Sequence, residues 1–225
     1  MKTILILGAE SDVAKALTAL YVQKGYHVIE ASRHSKTHYF DAADFESHAS
    51  FYRNLSPKPI GVISVFGYMG SQIRAETSFS ECKTIIDATY LGHVSILNII
   101  ANDFEKKRSG FIIGISSVAG LRGRMSNYIY GSAKAGFTTY LSGLRNRLWP
   151  AGVHVMTVIP GFINSKMTTG ITLPPILTAD PTEVARSILK AQEKQKNIVY
   201  IYAIWKIIMF IICSIPESIF KKLKL

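Results

Sequence analysis

Short apolar runs recur along this chain, separated by stretches of helical length. Residues 3–7 (TILIL), 26–31 (YHVIEA), 60–66 (IGVISVF), 111–115 (FIIGI) and 152–159 (GVHVMTVI) are apolar without the strict alternation of a half-solvated strand. Runs of this kind suit strands covered on both faces, the environment of a parallel sheet. Helices fit between them. One follows a glycine turn and runs to about Lys24, one runs from about Ser80 to Lys106, and one carries Tyr130 and Lys134. Another opens at Asp180-Pro181-Thr182-Glu183, with Asp180 as N-cap, Pro181 in the first turn and Glu183 three positions on. Ile198–Ala203 suits a final strand. This alternation predicts an α/β, doubly wound (Rossmann-type) fold, a mainly parallel sheet of about seven strands with helices on both faces.

Composition narrows the class. The chain has 225 residues, 48% hydrophobic, which suits one domain with a full core. No repeat, low-complexity tract or linker stands out. The two cysteines are too few for a disulfide framework and lack metal-ligand spacing, which reads as a reducing, cytosolic environment. His34 and His38 have helical spacing but no evident third ligand, so no metal site is expected. The first apolar run is too short for a signal peptide and leads into a glycine turn in place of a cleavage site. A net charge of +11 favours an anionic cofactor or an anionic membrane face, because no nucleic-acid motif accompanies it.

Two stretches carry candidate chemistry. Gly8-Ala9-Glu10-Ser11-Asp12-Val13-Ala14 joins the first strand to the first helix. A strand–glycine turn–helix unit lays a pyrophosphate on a helix N-terminus, so Gly8, Ser11, Asp12 and Val13 are cofactor candidates. At the end of the second strand, where an acidic residue would bond the ribose of NAD, stand Ser32 and Arg33. An arginine grips a 2′-phosphate that a carboxylate would repel, which favours NADP(H). Glu30 is expected to alternate away from that end. Further on, Tyr130 and Lys134 lie four residues apart, one turn along one helix face. A nearby ammonium lowers a phenol's pKa, which fits Tyr130 to exchange a proton with a carbonyl or alcohol oxygen. The Ser117 hydroxyl, at the end of the preceding strand, is placed to steady charge on the same oxygen.

Ser117, the segment ISSVAG and the segment NYIYGSAKAG closely resemble the short-chain dehydrogenase/reductase signature. The resemblance implies that Tyr130 donates the proton, Lys134 assists it and binds the ribose, and Ser117 orients the carbonyl. It maps Asp41 to the adenine side, and Phe66-Gly67 to the place of the family's Asn-Ala-Gly. It also places Thr89 where the family has an asparagine that holds a proton relay. In the Pro160-Gly161 loop it assigns nicotinamide and phosphate contacts to Pro160, Ile163 and Ser165. Residues 168–178 read as a substrate loop. Of the family's three turn glycines only Gly8 remains, with Asp12 tolerable if it caps the helix. Phe66-Gly67, Lys166-Met167-Thr168 and the tail resemble the decaprenylphosphoryl-2-keto-ribose reductase branch, which implies a keto-sugar on a lipid carrier as substrate.

The main domain is thus read over residues 1–203, with 204–225 as a hydrophobic and basic extension. Ile204–Ile215 is apolar almost all round, is interrupted by Lys206 and stops at Pro216. With Ile198 included, it falls short of the ~20 residues of a membrane span. Three readings stay open for it: a homo-oligomer interface, docking on the inner face of a membrane with Trp205 and the terminal lysines at the head groups, or core. Two functional alternatives also stay open, a nucleotide-binding sensor without turnover and a soluble reductase of small carbonyls.

Overall fold

In a computed structural model the chain is described over residues 2–170 and 172–224. In order it runs β1 (Thr3–Leu7), α1 (Asp12–Gln23), β2 (His27–Ala31), α2 (Ser47–Asn54), β3 (Gly61–Ser64), α3 (Gln72–Thr77) and α4 (Phe79–Ile86). A π-helical turn (Asp87–Leu91) leads into α5 (Gly92–Lys107), followed by β4 (Phe111–Ile115), α6 (Tyr128–Leu148), β5 (His154–Ile159) and β6 (Phe162–Ile163). β7 (Thr178–Ala179), α7 (Pro181–Glu193), β8 (Ile198–Tyr200), α8 (Ile204–Ser214) and α9 (Glu217–Phe220) complete it. Six strands form one parallel sheet in the order β2-β1-β3-β4-β5-β8, and β6 pairs with β7 in a separate two-stranded sheet.

The period of two sorts the side chains. Leu5, Leu7, Ile29, Val62, Ile112 and Val155 pack with α2, α5 and α6 on one face. Ile4, Ile6, Ile63, Ile113, Met156 and Val158 pack with α1 and α7 on the other. Both faces are therefore dry, which is why the strands read as continuous apolar runs. Because β1 lies between β2 and β3, the connections leave it in opposite directions. This opens a crevice at the carboxyl ends of β1 and β3, the usual ligand site of such sheets.

A single bridge joins Ser32 to Tyr39, shortly before Asp41. Two elements differ from expectation. The last strand stops at Tyr200, since Tyr202 turns the chain with φ +61° before α8 begins. The long helix spans its expected range but is interrupted by the π-helical turn.

Candidate active site

α6 presents Tyr130 and Lys134 on its buried face, against the end of β4. Helix and strand-end loop touch because Gly131 has no side chain, and a Cβ there would stand 2.8 Å from the Ala119 carbonyl oxygen. The Lys134 ammonium donates to the Ile115 carbonyl at 2.8 Å, and the Ser116 hydroxyl donates to the Lys134 carbonyl at 3.1 Å. The Ser117 hydroxyl accepts from the Ala119 N–H at 3.1 Å and lies beside the Tyr130 phenol.

The charge states correct the expected acidification. Burial pushes the Tyr130 phenol up to about 12, only partly opposed by the Ser117 hydroxyl. Burial also pulls the Lys134 ammonium down to about 7. Its Nζ stands 5.8 Å from the centre of the Tyr130 ring. Each group loses its water, and that loss disfavours the charged form of both.

All three side chains line a cleft of about 190 Å³, together with Ser11, Asp12, Val13, Phe66, Gly67, Pro160, Ile163 and Ser165. A second cleft of about 470 Å³ is lined by Gly8, Ser11, Ser32, Arg33, Asp41, Phe66 and Gly67. Ser11, Phe66 and Gly67 belong to both, so the two form one continuous crevice. Every expected site residue except Thr89 borders it. Gly8 turns the chain with φ +87°, and a Cβ there would meet the Phe66 backbone nitrogen at 2.7 Å.

Residues 60–174 match the family model described as short chain dehydrogenase. An uncharacterized oxidoreductase of Mycobacterium tuberculosis is 38% identical over 168 residues, 73% of this chain and 67% of that protein. The chain belongs to the short-chain dehydrogenase family. A carbonyl reductase family member 4 of Xenopus tropicalis is 22% identical over 211 residues, covering 84% of this chain and 89% of that one. In fold, this short-chain dehydrogenase superposes on one from Burkholderia cenocepacia, solved in complex with NADP, with a TM-score of 0.86 at 19% identity over 100% of both chains. One from Sphingobium yanoikuyae, in complex with NADPH, gives 0.79 at 17% identity over 97% of this chain and 98% of that one.

Where the chain departs from the family's residues, the side chains present make other contacts. Asp12 does not cap α1; Ser11 does, its hydroxyl accepting from the Ala14 N–H at 3.1 Å. The Asp12 carboxylate instead accepts from the Lys166 N–H at 2.9 Å, joining α1 to the loop after β6. The turn after β3 is held by two residues. The Thr89 hydroxyl accepts from the Tyr68 N–H at 3.0 Å and donates to the Tyr68 carbonyl at 2.9 Å. The His93 Nε2 donates to the Phe66 carbonyl at 3.1 Å, which leaves Nδ1 to accept from the Ser64 hydroxyl at 2.8 Å. That ring stacks between Phe66 and Phe137, with centroids 3.8 and 3.9 Å away. Burial holds its pKa well below the usual histidine range, so it stays neutral. Sequence reasoning missed His93, whose apolar neighbours in α5 make it look like a stray polar residue.

At the far end of the crevice, Arg33 is exposed on the rim and Ser32 is buried. Glu10, also missed, has a carboxylate oxygen 3.5 Å from the Ser32 hydroxyl. Its position in the glycine turn was the available signal. Glu30 points away and accepts from the Thr18 hydroxyl at 3.2 Å. Asp41 accepts from the Ala43 N–H at 3.0 Å.

The tail reaches the site. Trp205, 4% exposed, lies over Gly161, where any Cβ would overlap the indole, and its Nε1 donates to the Leu177 carbonyl at 3.1 Å. The expectation of Trp205 at lipid head groups is therefore corrected, because the indole is enclosed with Val118, Ile159 and Met209. Within residues 168–178, Thr168 ends a short turn (Lys166–Thr168), Pro175–Leu177 forms another and Thr178 opens β7; Ile171 lies outside the described residues.

Proposed function

We propose that this protein reduces a carbonyl to an alcohol with NADPH in preference to NADH. The observation that carries the reading is the convergence of Ser117, Tyr130 and Lys134 on a cleft that continues past Phe66 and Gly67 to Ser32 and Arg33. The crevice suits a dinucleotide. A capped helix N-terminus and a positive-φ glycine border its middle. An ammonium has three donors. Lys134 places one on Ile115, which leaves others for ribose hydroxyls in the cleft it lines. Arg33 supports a 2′-phosphate, with Glu10 the opposing charge.

The nicotinamide, when bound, supplies the hydride. Tyr130 gives its phenolic proton to the carbonyl oxygen as negative charge grows there. A phenol raised by burial still yields its proton to an alkoxide, whose conjugate acid is about as weak as water itself. Ser117 donates to the same oxygen and keeps it within reach of Tyr130. A protonated Lys134 favours the phenolate left behind.

Tyr130→Phe tests this. Carbonyl-dependent NADPH oxidation should fall by at least ~100-fold, the scale of general acid catalysis, while NADPH binding persists. Near-normal turnover would remove Tyr130 from the acid role. Absence of any NADPH consumption by the unaltered protein would favour a nucleotide sensor.

The outer face of α8 favours a lipid-carried substrate, the keto-sugar that the branch resemblance implies. Ile207 is 61% and Phe210 74% exposed, with Lys206, Lys221, Lys222 and Lys224 also at the surface. That combination suits an anionic bilayer. The opposite face of the same helix rests on Leu177 and Phe162, beside the cleft.

A further inference from the structure

Arg124 lies on the segment entering α6 and lines the catalytic cleft with Asn127, Ser117 and Tyr130. It does not border the adenosine cleft that holds Ser32 and Arg33. Its guanidinium joins no ion pair among the described residues. Its Nε is closed off from solvent and has no hydrogen-bond partner, and the Oδ1 of Asn127 is in the same condition. The arginines nearest in character differ. Arg145 donates to the Val155 carbonyl and the Thr157 hydroxyl, Arg147 pairs with Glu105, and Arg122 pairs with Glu217. A guanidinium presents five donors in a planar fork and stays charged in proteins. Removing such a group from water without a partner is costly, and burial with no offsetting carboxylate lowers its pKa. A guanidinium and an amide oxygen that the protein leaves unsatisfied, on two residues lining the cleft beside Tyr130, make an oxyanion site with a hydroxyl acceptor next to it.

We infer that Arg124 binds a carboxylate or phosphate group carried by the substrate close to its reacting carbonyl, with Asn127 accepting a neighbouring substrate hydroxyl. This rests on the reading of the site as a carbonyl reductase and adds the substrate's charge to it. A carboxylate and a phosphate both match the guanidinium fork.

Two matched pairs distinguish them: dihydroxyacetone phosphate against dihydroxyacetone, and 4-oxopentanoate against its amide. In at least one pair the full chain should prefer the charged member in kcat/KM by about 10- to 100-fold, mostly through KM, the scale of one charge-assisted hydrogen bond. Arg124→Gln should bring that ratio close to one, and Arg124→Lys should restore part of it. Calorimetry without turnover should show the preferred anion binding to the unaltered protein and not to Arg124→Gln. The thermal midpoint of Arg124→Gln should stay level or rise, because the variant removes a charge that the protein itself leaves unpaired. The proposal is overturned if neither anion binds or is preferred, or if Arg124→Gln keeps the preference. It is equally overturned if that variant instead raises the KM for NADPH by the same factor, or if its midpoint falls. Anion binding without reduction of any of the four compounds would sink the reductase reading and leave the oxyanion site standing.

Discussion

Lys134 sits in the interior with its ammonium on the Ile115 carbonyl, and burial brings its pKa from 10.5 down to about 7. Between those two values the unfolded chain holds a proton that the folded chain has released. Folding stability from this group therefore rises with pH across that window. Below about 7 both states are protonated and the burial penalty is present in full. The difference in unfolding free energy between the unaltered protein and Lys134→Met should climb from pH 7 towards 10.5, by at most ~1.4 kcal/mol per pH unit. Denaturant titrations of both proteins at several pH values check it, and a flat difference would mean that the ammonium keeps its water. The placement of Tyr130 and Lys134 was legible from their spacing of four. Their charge states were not, because these depend on what covers the helix.

At the scale of elements, the helix expected over residues 80–106 is found from Phe79 to Lys107, with a π-helical turn at Asp87–Leu91. Its apolar pattern was readable, since a local period requires only local residues. The turn was not. Thr89 lies within it and bonds both polar backbone groups of Tyr68, a contact between distant parts of the chain. Thr89 and Lys134 flank Gly67, at 3.8 Å (Oγ1) and 3.6 Å (Nζ) from where its Cβ would stand. Thr89→Val keeps the shape of the side chain and strands the Tyr68 N–H and C=O. It should cost about 1–3 kcal/mol in denaturant unfolding and raise the KM for NADPH, because Gly67 and Phe66 border the crevice. Unchanged stability would show that water replaces the hydroxyl. The capping of α7 by Asp180, with Glu183 reaching back at 3.2 Å, was legible because a capping box is confined to one turn.

Across the whole molecule, strand order places the crevice where β1 hands over to β2 and β3, and the tail packs against Val118 and Phe162 beside the cleft that Tyr130 lines. Trp205 and Met209 are buried, so deleting residues 204–225 would expose Val118 and Ile159 and confound any test of docking. Substitution of the outer face avoids that. The full chain should float with phosphatidylserine-containing vesicles, and Ile207→Ser with Phe210→Ser should abolish flotation while keeping the thermal midpoint. A full chain that stays in the aqueous fraction as a dimer, which the double variant converts to monomer, would assign that face to a second copy. The sequence by itself determined the doubly wound class, the strand and helix positions, the placing of Tyr130 and Lys134 on one helix face and the family, because apolar periodicity, caps and a one-turn spacing are written in neighbouring residues. Only the tertiary structure decided that Asp12 serves a loop 154 positions away, that His93 and Thr89 hold the turn after β3, that Trp205 is enclosed, and that Arg124 lines the cleft unpaired. Each of those follows from burial and from contacts between distant segments, which exist only once the chain has closed on itself.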